Sequence, residues 1–484
     1  MALSPTPVPV KNGALCPDLC IIGAGSGGLS VAAGAVQMGA SVVLIEGGEM
    51  GGDCLNYGCV PSKALIAAAK HAQAMRDGAP FGVTPVEPEV DYAAAMGHVH
   101  ETIAAIAPHD SQERFEGLGC TVIRDWARFT GAEEVEAGGQ RIRARRFVIA
   151  TGSNAFVPPI PGLADAPYLT NETLWENRTL PTHLLILGGG PIGMEMAQAH
   201  RRLGADVTVI EAATPLAAAE PEVAAVAIRR LEAEGVALRT GLAATEVTSG
   251  DETVTLALAD GSSVTGSHLL VATGRRPSLE RLGLDAAGIA YDKRGVTVDA
   301  ALRSSSNRKV YAIGDAAGGL QFTHVAGYQA GLVVRSALFR LPVKNRTDHI
   351  PKVTYTDPEI AQIGLTEAEA RAEHGDRVEV VTAALSETDR GHAERLSDGL
   401  AKVVLGRGGR ILGASIAGPH AGDLIQPWAL ALSKGMTIKD IAGHVAAYPT
   451  LGEVSKRAAS ACFSPRLFES AMVRRVIRLL ARLG

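Results

Sequence analysis

Residues 19–46 read LCIIGAGSGGLSVAAGAVQMGASVVLIE. An apolar run ends in a glycine turn, a stretch of small residues with helical composition follows, and a second apolar run closes on an acid. Gly23, Gly25 and Gly28 fit the G-x-G-x-x-G pattern, and Glu46 stands at the end of the second run. In such a unit the glycines let the backbone approach a pyrophosphate at the helix N-terminus, where N–H groups and the helix dipole favour anions, and the acid can hold ribose hydroxyls. The same grammar returns at residues 184–211, LLILGGGPIGMEMAQAHRRLGADVTVIE, with Gly188, Gly190, Gly193 and Glu211 at matching spacing. Each unit is later followed by an apolar strand and an Ala-Thr-Gly turn, FVIATGS with Gly152 and LLVATGR with Gly274. Two such units predict an α/β chain with two Rossmann-like dinucleotide-binding domains, and hence two nucleotide ligands.

The rest of the chain frames these units. Its 484 residues, 46% hydrophobic and 20% charged, suit about three domains of roughly 150 residues and exclude a disordered or fibrous protein. The net charge of −5 leaves no footprint for a polyanion, so nucleic acid is not expected as a partner. No run approaches the ~18 apolar residues that span a bilayer, and the start, MALSPTPVPVKNG, lacks the basic-then-apolar order of a signal peptide. A cytoplasmic protein is expected. Residues 1–16, Pro-rich and aperiodic, read as a flexible tail, and SNAFVPPIPGL (153–163) reads as a connection between domains. VYAIGDAAGGLQFTHVAGYQA (310–330) suggests a return to the first domain, and beyond Pro351 the texture changes to alternating strands with a hairpin at 402–418. The expected division is 17–155 with 281–349 for the first dinucleotide domain, 156–280 for the second, and 350–484 for a C-terminal α+β domain.

Six cysteines in a chain of this length do not form a disulfide scaffold. Cys54 and Cys59 lie close together in GGDCLNYGCVPSK (51–63), and no second cysteine pair or local histidine cluster supplies further ligands. No metal site is therefore expected, and redox chemistry is favoured. PSKALIAAAKHAQAM, with Pro61 at a first-turn position, places the pair at a helix N-terminus, where the dipole lowers thiol pKa.

The first fingerprint, GGDCLNYGCVPSK, the second fingerprint GGGPIGMEMA, YAIGDAAGG and AYPTLGE occur in that order. In this the chain resembles the class I flavoprotein disulfide reductases, the family of dihydrolipoamide dehydrogenase, glutathione reductase and mercuric reductase, over residues 18–460 or so. The resemblance implies FAD at the first fingerprint, a nicotinamide dinucleotide at the second, and a C-terminal dimerisation domain through which a homodimer forms. Cys54 would be the interchange thiol that attacks substrate, and Cys59 the thiol facing the flavin. Lys63, otherwise a plain helix lysine, would lie near flavin N5 and pair with Glu195. Glu46 would hold the adenosine ribose of FAD, Asp315 the ribityl chain, and Ala127 would meet the adenine through its backbone. Gly52, Gly152 and Gly314 belong to the same cofactor set, as Gly188, Gly190, Gly193 and Gly274 do at the nicotinamide dinucleotide. Glu211 matches the acid that bonds the adenine ribose and repels a 2′-phosphate, and no arginine follows it in AATPLAAAE. NADH is expected over NADPH.

The resemblance also carries departures. Relatives that act on lipoamide or glutathione have a His-Pro-Thr-x-x-Glu motif whose histidine, from the partner subunit, is the base for the interchange thiol. Here Tyr448 replaces that histidine ahead of Glu453, and His444 falls four residues too early. A phenol with an ordinary pKa near 10 is a poor base. Mercuric reductases also carry tyrosine there, which suits a soft metal whose thiolate ligands need no base. They also use a C-terminal vicinal cysteine pair, and this chain has only Cys462 near its end. Asp53 stands where many relatives have threonine, and a negative charge there is expected to act on the flavin potential. His109, beside Asp110 in a capping context, is left out of the catalytic set.

Three functions follow from the resemblance. The first is a mercuric reductase-like NAD(P)H oxidoreductase acting on a small disulfide or a thiophilic metal ion. The second is a dihydrolipoamide dehydrogenase, and the third a flavin-bound redox sensor. The tail FSPRLFESAMVRRVIRLLARLG sets Val473, Val476, Ile477 and Leu480 against Arg474, Arg475, Arg478 and Arg482 on a basic amphipathic helix. Docking on the C-terminal domain or the partner subunit is expected, with weak contact to a membrane surface as the alternative.

Overall fold

The computed structural model describes residues 6–482. Residues 1–5 and 483–484, the extreme ends of the expected tail and of the basic helix, lie outside the described residues. The first part of the chain forms β1 (Leu19–Ile22), α1 (Ser26–Gln37), β2 (Val42–Ile45), α2 (Cys59–Arg76), α3 (Tyr92–Ile106), β3 (Thr121–Ile123) and β4 (Arg146–Ile149). The second forms β5 (His183–Leu187), α4 (Pro191–Arg202), β6 (Asp206–Glu211), α5 (Pro221–Ala233), β7 (Ala237–Thr240) and β8 (His268–Val271). Then come β9 (Val310–Ala312) and α6 (Thr323–Phe339). The C-terminal part holds β10 (Lys352–Thr354), β11 (Glu359–Gly364), β12 (Glu379–Ala384), β13 (Leu400–Gly406), β14 (Arg410–Gly418), α7 (Glu453–Ala461) and α8 (Ala471–Leu480).

The strands β1 and β2, LCII and VVLI, are buried along their whole length, as strands covered on both faces must be. They sit inside a parallel sheet of order β9-β4-β1-β2-β3. Val310–Ala312 thus returns to pair with Phe147–Ile149 after an excursion of some 160 residues. The excursion contains a second parallel sheet, β7-β6-β5-β8. Ser153–Ala155 and Arg275–Pro277, the outgoing and returning strands, pair antiparallel. The C-terminal sheet, β10-β11-β14-β13-β12, is antiparallel throughout. Two doubly wound units and an α+β domain are the architecture expected.

Both dinucleotide turns are fixed by the same two contacts. Gly23 and Gly188 have φ of +103° and +113°, which side chains rarely adopt. A Cβ on Gly28 would stand 1.8 Å from the Gly23 carbonyl oxygen, and one on Gly193 2.0 Å from that of Gly188. The turn and the helix therefore close together only through glycine.

The N-terminal segment departs from expectation. Val10–Lys11 and Ala14–Leu15 are strands, and Ala14–Leu15 pairs with Arg141–Ile142 at the edge of a five-stranded sheet. Val8 and Leu15 pack on the adjoining core, and Cys16 donates its N–H to the Pro9 carbonyl at 2.7 Å. These few apolar residues find a hydrophobic surface that no periodicity announces. The basic helix departs too: no residue of α8 is buried, so within one chain it does not dock on the C-terminal domain.

Buried charges bolt the second dinucleotide unit to the C-terminal sheet. Lys402 on β13 is enclosed among three carboxylates, 2.7 Å from Glu220, 2.9 Å from Glu222 and 2.8 Å from Glu367. Its ammonium occupies the centre of this acidic cluster. Hydrogen bonds from Lys402 hold the Glu222 and Glu367 carboxyls below their ordinary range. Arg202 on α4 grips Glu234 through Nε at 2.8 Å and a terminal nitrogen at 2.6 Å, and reaches Asp357 at 2.9 Å.

Lys402→Ala leaves the buried Glu220 carboxylate unpaired. We expect a loss of about 3–5 kcal/mol in chemical denaturation. Because the two depressed carboxyls stabilise the fold only when ionised, their contribution is present above about pH 4.3, the ordinary Glu value, and fades as pH falls below it. The variant should show a weaker acid dependence of unfolding than the parent.

Candidate active site

The short helix Gly52–Asn56 and the first turn of α2 present Cys54 and Cys59 to a cavity of about 860 Å³. Gly25, Gly152, Gly314, Asp315, Lys63 and Glu195 also line it. Gly23 and Gly28 close the turn behind Gly25. Gly52 packs against that turn: its φ is +61°, and a Cβ on it would stand 2.7 Å from the Gly25 Cα. Glu46 is held at the same place, Oε2 accepting from the Ala24 N–H at 2.6 Å and Oε1 from the Gly48 N–H at 2.7 Å. Thr151 Oγ1 is buried beside the cavity without a hydrogen-bond partner. Glycine backbone for a pyrophosphate, a fixed carboxylate for ribose and an unmet hydroxyl make a donor set that fits FAD. Ala127 is buried in the neighbouring core and does not line the cavity.

Both thiols are free, and Cys59 is the more open. Cys54 donates a hydrogen bond to Cys59, and Thr323 at the start of α6 lies 3.5 Å from the Cys59 sulfur. These bonds, with the charge of Lys63, bring Cys59 down to about 6. The bond to Cys59 and burial push Cys54 far up. The pair therefore holds one proton near neutral pH, on Cys54, with the negative charge on Cys59.

Lys63 Nζ donates to Glu195 Oε2 at 2.8 Å, and Glu195 Oε1 accepts the Tyr355 N–H at 2.8 Å. The ammonium also lies 4.3 Å from the centre of the Tyr355 ring. Asp53, the negative charge expected to act on the flavin potential, is paired. Arg275 reaches its Oδ1 at 2.9 Å, and Asn171 Nδ2 donates to the same oxygen at 3.0 Å. Arg275 also donates to Ser153 Oγ at 2.8 Å, and Ser153 in turn donates to Asp315 Oδ2 at 2.5 Å. Burial raises the Asp315 carboxyl.

A second cavity, about 250 Å³, is lined by Gly188, Gly190, Glu211 and Gly274. Gly193 lies behind it as Gly28 does in the first unit. Glu211 repeats the arrangement of Glu46, accepting from the N–H groups of Gly189 at 2.7 Å and Ala213 at 2.8 Å.

Tyr448 and Glu453 are not brought to the cysteines within one chain. Tyr448 is 70% exposed and its hydroxyl donates to Asp389 Oδ2 at 2.6 Å, which raises the phenol pKa. Glu453 Oε2 is buried without a hydrogen bond. Thr323, Tyr355, Arg275, Asn171 and Asp389 escaped the sequence reading. Arg275 and Thr323 lie inside motifs that were legible, LLVATGR and QFTHVA; Tyr355 and Asn171 meet the site only through long-range contacts, and Asp389 meets Tyr448 away from it.

Two family models match the chain: "Pyridine nucleotide-disulphide oxidoreductase" over residues 17–330 and the corresponding dimerisation domain over residues 350–459. A mercuric reductase of Lysinibacillus sphaericus is 34% identical over 447 residues, covering 91% of this chain and 82% of the relative. A dihydrolipoyl dehydrogenase of Thermus scotoductus is 36% identical over 464 residues, covering 92% and 97%. Among solved structures, LpdA from Mycobacterium tuberculosis superposes with a TM-score of 0.84 at 26% identity, over 92% of this chain and 99% of its own. The Cu(II) complex of the HOCl-induced flavoprotein disulfide reductase RclA from Escherichia coli gives 0.81 at 26%, over 91% and 99%.

Thr323→Val removes one donor to an ionised sulfur, a bond of roughly 1.5–3 kcal/mol. The pH midpoint for alkylation of Cys59 in the reduced protein, followed on its peptide by mass spectrometry, should rise by about 1–2 units from its parent value near 6. An unchanged midpoint would show that Thr323 does not support the thiolate.

Proposed function

Because the chain belongs to the pyridine nucleotide-disulphide oxidoreductase family, an FAD-dependent family whose dimerisation domain it carries, we propose that its homodimer passes electrons from NADH through Cys54 and Cys59 to a thiophilic metal ion. The observation that carries this reading is the Tyr448 hydroxyl bonded to Asp389. A phenol that already donates to a carboxylate, with its pKa raised, does not take a proton from a dithiol. A soft cation asks for no such base, because it binds sulfur in its deprotonated form.

FAD, when bound between the Gly25 turn and Asp315, supplies two-electron transfer from the nicotinamide. The chain's own residues do the rest. Lys63, fixed by Glu195, sets a positive charge beside the thiol pair and lowers Cys59. Cys59 offers a thiolate at neutral pH, and Cys54 keeps its proton until a ligand arrives. A divalent soft metal that binds both sulfurs forms two metal–sulfur bonds and releases one proton from Cys54, so ligation tightens as pH rises. Below about pH 6 a second proton must leave Cys59, and the dependence steepens.

NADH rather than NADPH is the proposed donor. Glu211, pinned by two backbone N–H groups, offers a carboxylate where a 2′-phosphate would lie and would repel it. The second reading, dihydrolipoamide dehydrogenase, is favoured by the identity with relatives of that name and needs a base that one chain does not show.

Steady-state assays of the holoenzyme with NADH should give faster turnover with thiol-complexed Hg(II) than with lipoamide. Tyr448→His should raise lipoamide turnover by a factor of about 100 or more, the lower end of what one general base contributes. High lipoamide turnover by the parent would overturn the metal reading. Glu211→Ala should narrow the ratio of kcat/KM for NADH over NADPH by about tenfold, and an unmoved ratio would reject Glu211 as the discriminating residue.

A further inference from the structure

The geometry points to α8 as a docking helix for an anionic phospholipid surface. At 100° per residue, Met472, Val473, Val476, Ile477, Leu479 and Leu480 fall on an arc of about 160°. Arg475 and Arg478 lie on the opposite side, Arg482 follows just past the end of the helix, and no acidic residue occurs from Ser470 onward. Met472 is 76% exposed, Leu479 60% and Ile477 59%, so the described residues of the same chain leave most of the apolar arc open. The apolar surface continues onto Leu467 and Phe468 of the preceding turn, also exposed.

The occupant follows from charge and place. A surface helix facing water usually mixes acidic and basic residues, whereas this polar face has one sign and is built from arginine alone. Guanidinium groups match phosphate oxygens in a bidentate fork, and their stems lie along an apolar surface while the heads reach its rim. An apolar stripe bordered by cations is the pattern of a helix lying in the membrane interface. The helix also lies beyond residues 350–459, the part that matches the family's dimerisation domain. Arg474 plays a different part, its Nε and a terminal nitrogen donating to the Phe468 carbonyl at 3.1 and 2.5 Å and so fixing the turn that aims the helix. None of these residues touches the cysteine cavity, so docking leaves the redox site open.

The test is co-sedimentation of the FAD-loaded holoenzyme with vesicles of phosphatidylcholine alone or with about 30% phosphatidylserine. We expect binding to the anionic vesicles only, and release at about 0.5 M NaCl as screening shortens the reach of the field. Changing Arg475, Arg478 and Arg482 together to Gln should weaken the partition by about fivefold per charge, on the order of a hundredfold in all. Ile477→Asp should abolish it while NADH oxidation with ferricyanide and the dimer mass remain unchanged. No binding to anionic vesicles, or equal binding by the Gln variant, overturns the proposal. So does an Ile477→Asp protein that becomes monomeric, which would show that a second copy of the chain covers this face.

Discussion

One buried carboxylate holds the working parts of this molecule together. Glu195 sits on the helix of the second dinucleotide unit, 5% exposed. One of its oxygens takes the Lys63 ammonium, which rides on the helix that begins at Cys59, and the other takes the N–H of Tyr355 in the C-terminal domain. Three regions distant in sequence thus share one anion. A buried ion pair is weak evidence of stabilisation because desolvation offsets much of the Coulomb gain. Its value here is geometric: the ion pair holds the partly exposed lysine beside the thiol pair, where its charge helps lower Cys59.

The parts of the fold that could be read from the sequence are those set by local steric rules. Gly23 and Gly28, and again Gly188 and Gly193, leave room for no Cβ, so their spacing survives in the sequence as a fingerprint. The fully apolar runs that became β1, β2 and β5 announce strands buried on both faces. Cys54, Cys59 and Lys63 lie within thirteen consecutive residues, and a helix start explains their grouping.

What was not legible depends on partners far along the chain. The pairing of Asp53 was hidden because Arg275 and Asn171 lie more than a hundred residues away. Residues 10–15 read as coil because their strands are two residues long and take their register from Arg141 and Ile142. Tyr448 was legible as a replaced base, but the carboxylate that defines its behaviour, Asp389, belongs to a short helix with no motif of its own. In each case the sequence supplies the residue and the tertiary structure supplies its partner.

That distinction bears on how substrate choice could be built on a shared scaffold. The thiol pair holds one proton between two sulfurs, with the charge on Cys59, and this state is set by the bond between the sulfurs, by their burial, and by Thr323 and Lys63. It needs nothing from residue 448. A dithiol substrate must give up protons to something, so its turnover depends on what stands at that position; a soft cation displaces the shared proton itself. On the proposed reading Tyr448, turned toward Asp389 as a donor, would leave the thiol pair's own chemistry intact and withhold help only from substrates that need a base. A single side chain and its carboxylate partner can therefore divide two substrate classes without any change to the nucleotide units or to the cysteines.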